Sequence, residues 1–129
     1  MTREIKFRGK SLIDGRWIYG DLFRTDLEGG VSIQYYDEVD GWMTEEVNPE
    51  TIGQFTGIKD GNGTEIFEGD ILDTPIHKGM LVIFGTGSFC MNTFSGATHY
   101  FDAWIDKIDQ FRVMDNIHDN PELMEGGEK

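Results

Sequence analysis

The chain has 129 residues, a formal net charge of −13, 38% hydrophobic residues and one cysteine, which bounds it to one modest domain or two small lobes sharing a core. No apolar run approaches the ~20 residues of a membrane-spanning helix, and Met1-Thr2-Arg3-Glu4 lacks the apolar stretch of a signal peptide. The lone Cys90 excludes both an internal disulfide framework and a CxxC metal or redox pair, so the expected setting is the cytoplasm, with no membrane partner and no cofactor.

The acidity is concentrated: Val31 to Pro75 carries one basic and 11 acidic side chains. A duplex-binding protein uses cations to displace counterions from phosphates, so nucleic acid is disfavoured as a direct partner. An acidic surface that imitates DNA is the alternative, and solubility of an exposed β-protein is the plainer reason for the charge.

In chain order, Glu4 to Lys10 alternates, with Ile5 and Phe7 on one face and Lys6, Arg8 and Lys10 on the other. This predicts a first strand whose apolar face is buried and whose basic stripe points outwards. The stripe is a candidate phosphate contact, or a partner for the acidic middle of the chain. Asp14-Gly15 predicts a turn, and Arg16 to Phe23 an aromatic, largely buried second strand. Leu27 to Gly30 predicts another turn, and Val31 to Tyr35 a third strand. Asp37 to Asn48 is acidic, with Trp42 and Met43 in its middle, and predicts a hairpin tip around Asp40-Gly41. A tryptophan among carboxylates is a candidate interface residue; the alternative is a local cluster with Val39 and Val47.

Thr51 to Asp73 is the best-specified stretch. Asp60-Gly61-Asn62-Gly63 suits the positive φ angles of a tight hairpin, with arms Gln54 to Ile58 and Thr64 to Glu68. Gly69-Asp70 breaks the pattern and Ile71-Leu72 starts a new strand. Read as an EF-hand-like loop from Asp60, the sixth and twelfth places hold Glu65 and Ile71 instead of glycine and an acidic ligand, so the calcium pattern fails.

Pro75 makes Thr74 to Gly79 an edge strand or loop. Met80 to Phe84 is continuously apolar and predicts a core strand, Gly85 to Ser88 a turn, and Ser88 to Asn92 another strand with Cys90 as a buried, inert thiol. Tyr100 to Gln110 is the one predicted helix, with Tyr100, Phe101, Trp104, Ile105 and Ile108 near helical spacing. Phe111 to Met114 predicts a closing strand. Asn116 to Leu123 runs out through Pro121, and Glu125 to Lys129 is expected to fray.

Three blocks give the chain a resemblance to the YopX family, small proteins found mainly in bacteriophages and prophages. They are Arg3 to Lys10; Val47 to Asp60 with Gly63 and Glu65 to Ile71; and Asn116-Ile117-His118-Asp119-Asn120-Pro121-Glu122-Leu123. Gly15 to Gly20 resembles the aromatic strand of one branch of that family, and Thr74 to Gln110 matches least. The resemblance implies a mostly-β phage accessory protein acting in the host cytoplasm. It brings no established catalytic or ligand residues.

The residues themselves offer little chemistry. His77, His99 and His118 lack HxH or HExxH spacing. A triad of His99, Asp102 and Ser88 or Ser95 has no nucleophile elbow to support it, and carboxylate pairs are too abundant to single out an acid and a base. A non-enzymatic protein is expected. Glu68-Gly69-Asp70 is a candidate functional loop, beside the simpler reading of Gly69 as a turn residue and Asp70 as an acceptor for backbone amides. The expected architecture is mostly antiparallel β: a sheet over residues 1–50, a small barrel of SH3-like kind over 51–115, a tail over 116–129, and at most one short helix. The candidate interaction surface is Trp42, Glu45, Glu46, Glu68 and Asp70. It is expected to bind a protein partner, a second copy of the chain being one form of it through exposed edge strands.

Overall fold

The computed structural model describes residues 4–24, 30–85 and 87–124. It is mostly β, in antiparallel sheets, and its contacts gather into two units that divide between Phe55 and Thr56. The turn expected at Leu27 to Gly30, save Gly30 itself, and the tail Glu125 to Lys129 lie outside the described residues.

The first unit holds β1 (Phe7–Lys10), β2 (Trp17–Arg24), β3 (Val31–Asp37) and β4 (Gly41–Val47), a 3-10 turn (Pro49–Thr51) and the start of β5 (Gly53–Lys59). The first half of β2 pairs with β1, Lys10 opposite Trp17, and its second half pairs with β3, Leu22 opposite Ile33. The pleat sends Phe7, Ile18, Leu22, Ile33, Tyr35 and Val47 to one side, where they pack with Ile52. Gly20 sits where β2 passes from one neighbour to the other. A Cβ there would lie 2.2 Å from the Gln34 carbonyl oxygen, so only glycine fits.

Two expectations for the first strand are corrected. Ile5 precedes β1 and is 57% exposed, while Arg8, expected to face outwards, is only 6% exposed. The reason is the aromatic stripe that shares the cationic face. The Arg8 guanidinium lies 4.6 Å from the centre of the Trp17 ring, Lys10 Nζ lies 5.6 Å from the same ring, and Lys6 Nζ lies 5.7 Å from that of Phe55. Aliphatic stems and cations laid over aromatic faces bury together.

The end of β4 returns to the end of β1. Ser11 forms an isolated bridge with Val47, the Leu12 amide donates to the Glu46 carbonyl at 3.1 Å, and the Asn48 amide donates to the Lys10 carbonyl at 2.8 Å. Asn48 also caps the 3-10 turn by accepting from the Glu50 amide at 3.0 Å. The Thr51 hydroxyl donates to the Asn48 carbonyl and accepts from the Lys10 amide. A single bridge is not a ladder, so the sheet curls without closing.

The second unit holds the rest of β5, then β6 (Glu65–Phe67), β7 (Asp70–Asp73), β8 (Lys78–Gly85), β9 (Ser88–Asn92), β10 (Thr98–Tyr100), α1 (Phe101–Trp104), which runs on as a 3-10 helix (Ile105–Gln110), β11 (Arg112–Asn116) and a 3-10 turn (Pro121–Met124). Its five-stranded sheet has the order β10-β9-β8-β7-β11. The SH3-like barrel expected here is therefore corrected to an open sheet, with β10 and β11 as its edges. Ile66, Leu72, Met80, Val82, Met91, Phe101 and Phe111 form the core, with Trp104, Ile108 and Val113 packed against it. The expected helix is present but only its first turn is α. Its N-cap residue Tyr100 makes no side-chain cap, and the backbone leaves helical geometry at Trp104.

Candidate interaction surface

The β3–β4 hairpin is held open to solvent by its own turn. Gly41 takes φ +81° opposite Asp37, a conformation that disfavours a side chain. One oxygen of the Asp37 carboxylate accepts from the Val39 amide at 2.7 Å and the Asp40 amide at 3.0 Å. These two amides, that of Asp40 foremost, hold its pKa below the usual carboxylate value, so the tip carries a fixed negative charge. Tyr36 and Trp42 are opposite each other in the ladder and share the face turned away from the core. Their rings meet edge to face at 5.4 Å. Tyr36 is 60%, Trp42 65% and Val39 89% exposed. The alternative cluster of Trp42 with Val47 does not form, since Val47 is fully buried on the opposite face at the far end of β4.

The other candidates are placed differently. Glu46 is exposed on the same face as Trp42. Glu45 points to the other side, where it accepts from the Ser11 hydroxyl at 2.6 Å and from Arg16 Nη2 at 3.0 Å. Glu68 and Asp70 belong to the second unit. Asp70 is buried and accepts from the Phe67 amide at 2.8 Å, Gly69 has φ +96°, and its amide donates to the Val82 carbonyl at 2.8 Å. That is the turn the sequence offered as the simpler reading. Of the basic stripe, Lys6 and Lys10 lie over aromatic rings as described, Lys6 also 3.3 Å from Glu4, and Arg8 is buried.

Sequence reasoning placed the Asp60 to Gly63 turn but missed what its carboxylate does. One oxygen of the buried Asp60 accepts from the amides of Asn62 (2.8 Å) and Thr64 (2.9 Å), and the other from the distant Val113 amide (2.9 Å). Burial alone pushes its pKa up. The Val113, Thr64 and Asn62 amides, with the Arg112 charge, more than offset that and leave it below the usual carboxylate value. Gly61 packs so closely that a Cβ would lie 2.0 Å from the Asp109 carbonyl oxygen and 2.0 Å from Arg112 Nη1. The signal was present in Asp60-Gly61 as an Asx-type turn, but its long-range partner was not.

The fold also unites residues that spacing kept apart. The rings of His77 and His99 lie 5.6 Å apart, and His99 meets Trp104 at 6.4 Å. Among the described residues no three of His, Cys, Asp and Glu are grouped so as to hold a metal ion. Ser88 and Asp102 do share a shallow cleft of about 290 Å³ in the second unit, lined also by Ile58, Phe89, Tyr100 and Phe101. His99 is not among its lining residues, and the Ser95 hydroxyl is paired with that of Thr93 at 3.0 Å. Neither version of the triad is assembled.

A family model described as "YopX protein" matches residues 6–125. The chain is similar to a crystal structure of protein EF1440 from Enterococcus faecalis, at 26% sequence identity and a TM-score of 0.58, over 96% of this chain and 100% of that one. No curated protein matches it. Among the described residues, no helix is long and apolar enough to cross a membrane.

Proposed function

The chain belongs to the YopX family, and on that footing we propose that it is a non-enzymatic phage or prophage accessory protein that acts in the host cytoplasm by binding another protein through the β3–β4 hairpin. The observation that carries this reading is the solvent-exposed Tyr36–Trp42 pair, with the exposed Val39 in the turn between their strands. Large amphipathic rings are the residues most often found as anchors at the centre of protein interfaces. Asp37, Glu38, Asp40 and Glu46 flank them, so the matching surface is cationic. A second copy would set equal carboxylates against each other, which favours a different protein as the partner.

The nucleic-acid reading has less support. Direct binding through the basic stripe loses its middle member, since Arg8 is buried against Trp17. An acidic mimic needs a continuous row of outward carboxylates, and within the acidic stretch Glu45, Asp60 and Asp70 are turned to internal hydrogen bonds.

Affinity capture from host cells, with the wild type beside Trp42→Ala and Tyr36→Ala, tests the proposal. The expected result is a host protein retained by the wild type and lost by both variants, with affinity reduced about 30-fold. Its binding should weaken as salt rises, while stability falls by no more than about 1 kcal/mol, the worth of an exposed cross-strand aromatic pair. Retention of the same protein by Trp42→Ala sinks the proposal. Light scattering is expected to show a monomer at every concentration; a dimer that Trp42→Ala abolishes would assign the hairpin to self-association.

A further inference from the structure

We infer that the cleft in the second unit is a receptor for a single guanidinium group, the side chain of an arginine on a bound protein or peptide. Its volume of about 290 Å³ falls just below the ~300–1,000 Å³ of small-molecule pockets, which suits one amino-acid side chain. The walls carry Ile58, Phe89, Tyr100 and Phe101, with Asp102 as the one ionisable acid and no basic residue among the lining. An anion would meet that carboxylate with no positive charge among the lining to offset it. A neutral apolar group would desolvate Asp102 without a partner. A cation with a flat, weakly hydrated face is served by both parts of the lining, stacking on aromatic rings and donating to the carboxylate.

The hydroxyls sharpen the choice. Thr56 also lines the cleft, but its hydroxyl donates to the Ile66 carbonyl at 2.8 Å and accepts from the Ile58 amide at 3.1 Å. Ser88, Tyr100 and Asp102 remain as the acceptors. Several acceptors lining one cleft with aromatic side chains fit the in-plane donors and flat face of a guanidinium better than the compact, strongly hydrated ammonium of lysine. Phe84 extends the apolar rim: it is exposed and meets Phe89 edge to face at 5.1 Å. This site lies in a different unit from the hairpin and stands independently of it.

Titration of the 15N-labelled full chain with Nα-acetyl-arginine methylamide, and in parallel with the lysine analogue, tests the assignment. Saturable amide shifts are expected at Ile58, Ser88, Phe89 and Tyr100 to Asp102. Asp102→Asn should weaken the arginine analogue about fivefold at most, as for an ion pair on an exposed carboxylate, and Asp102→Glu should restore part of the loss. The lysine analogue should bind about threefold more weakly or worse, and Trp42→Ala should leave the titration unchanged. Shifts that stay linear, that follow the hairpin carboxylates instead, or that are the same for wild type and Asp102→Asn each overturn the site.

Discussion

Asp60→Asn is expected to destabilise the protein by about 2–4 kcal/mol at pH 7, seen as a lower urea midpoint. Both carboxylate oxygens are in use, one on the Asn62 and Thr64 amides and the other on the Val113 amide. A carboxamide has one acceptor oxygen, so whichever way it is turned an N–H group faces an N–H group. The effect has a defined pH dependence. The folded-state pKa of Asp60 lies below its ordinary value, so its contribution is fully present above the unfolded value of about 3.9 and disappears as the pH falls through the folded one. The gap between wild type and Asp60→Asn should therefore be wide at pH 7 and shrink towards pH 3. An equal gap at both pH values refutes this role.

Gly20→Ala is expected to have an effect of similar size or larger, about 3 kcal/mol or more, with loss of the dispersed amide spectrum of the first unit. The atom that a methyl group meets is the backbone oxygen of Gln34 at 2.2 Å, and a ladder carbonyl cannot move aside as a side-chain tip does. Gly63→Ala is the informative control. It stands in open space at φ +83°, so its cost is conformational alone, about 1 kcal/mol. Thermal melts in which Gly20→Ala is no worse than Gly63→Ala would show that β2 and β3 have room to separate.

Local rules made the strands and turns legible. Alternation located β3, the glycine pairs located the hairpins, and the apolar run at Met80 to Phe84 located the middle of β8. The Tyr100 to Gln110 helix was found within a residue of its true start. Residues whose role depends on distant partners were not legible. Lys6-Phe7-Arg8 alternates identically whether its cations face water or aromatic rings, and only the pairing of β1 with β2 shows that Trp17 covers Arg8. Asp60 and Val113 are 53 positions apart, and no local pattern announces such a tie. At the candidate surface, the exposed Trp42 was read from its acidic surroundings. Its partner Tyr36 was hidden by register, and the cleft by the fold that gathers β5, β9 and α1.

The position of β11 beside β7 sets a timetable for synthesis. The ends of β1 and β4 are tied together through residues 10–12 and 46–48, all made early, so the first unit can mature while the ribosome is still translating the rest. β7 receives one flank from β8 soon after it emerges, but its other flank waits for Arg112–Asn116. At about 5–20 residues per second that delay is a few seconds, during which the nascent chain offers an unsatisfied edge to its neighbours on a polysome. A premature stop codon ahead of Arg112 makes the vacancy permanent, and such fragments should partition into inclusion bodies rather than survive as truncated folded protein.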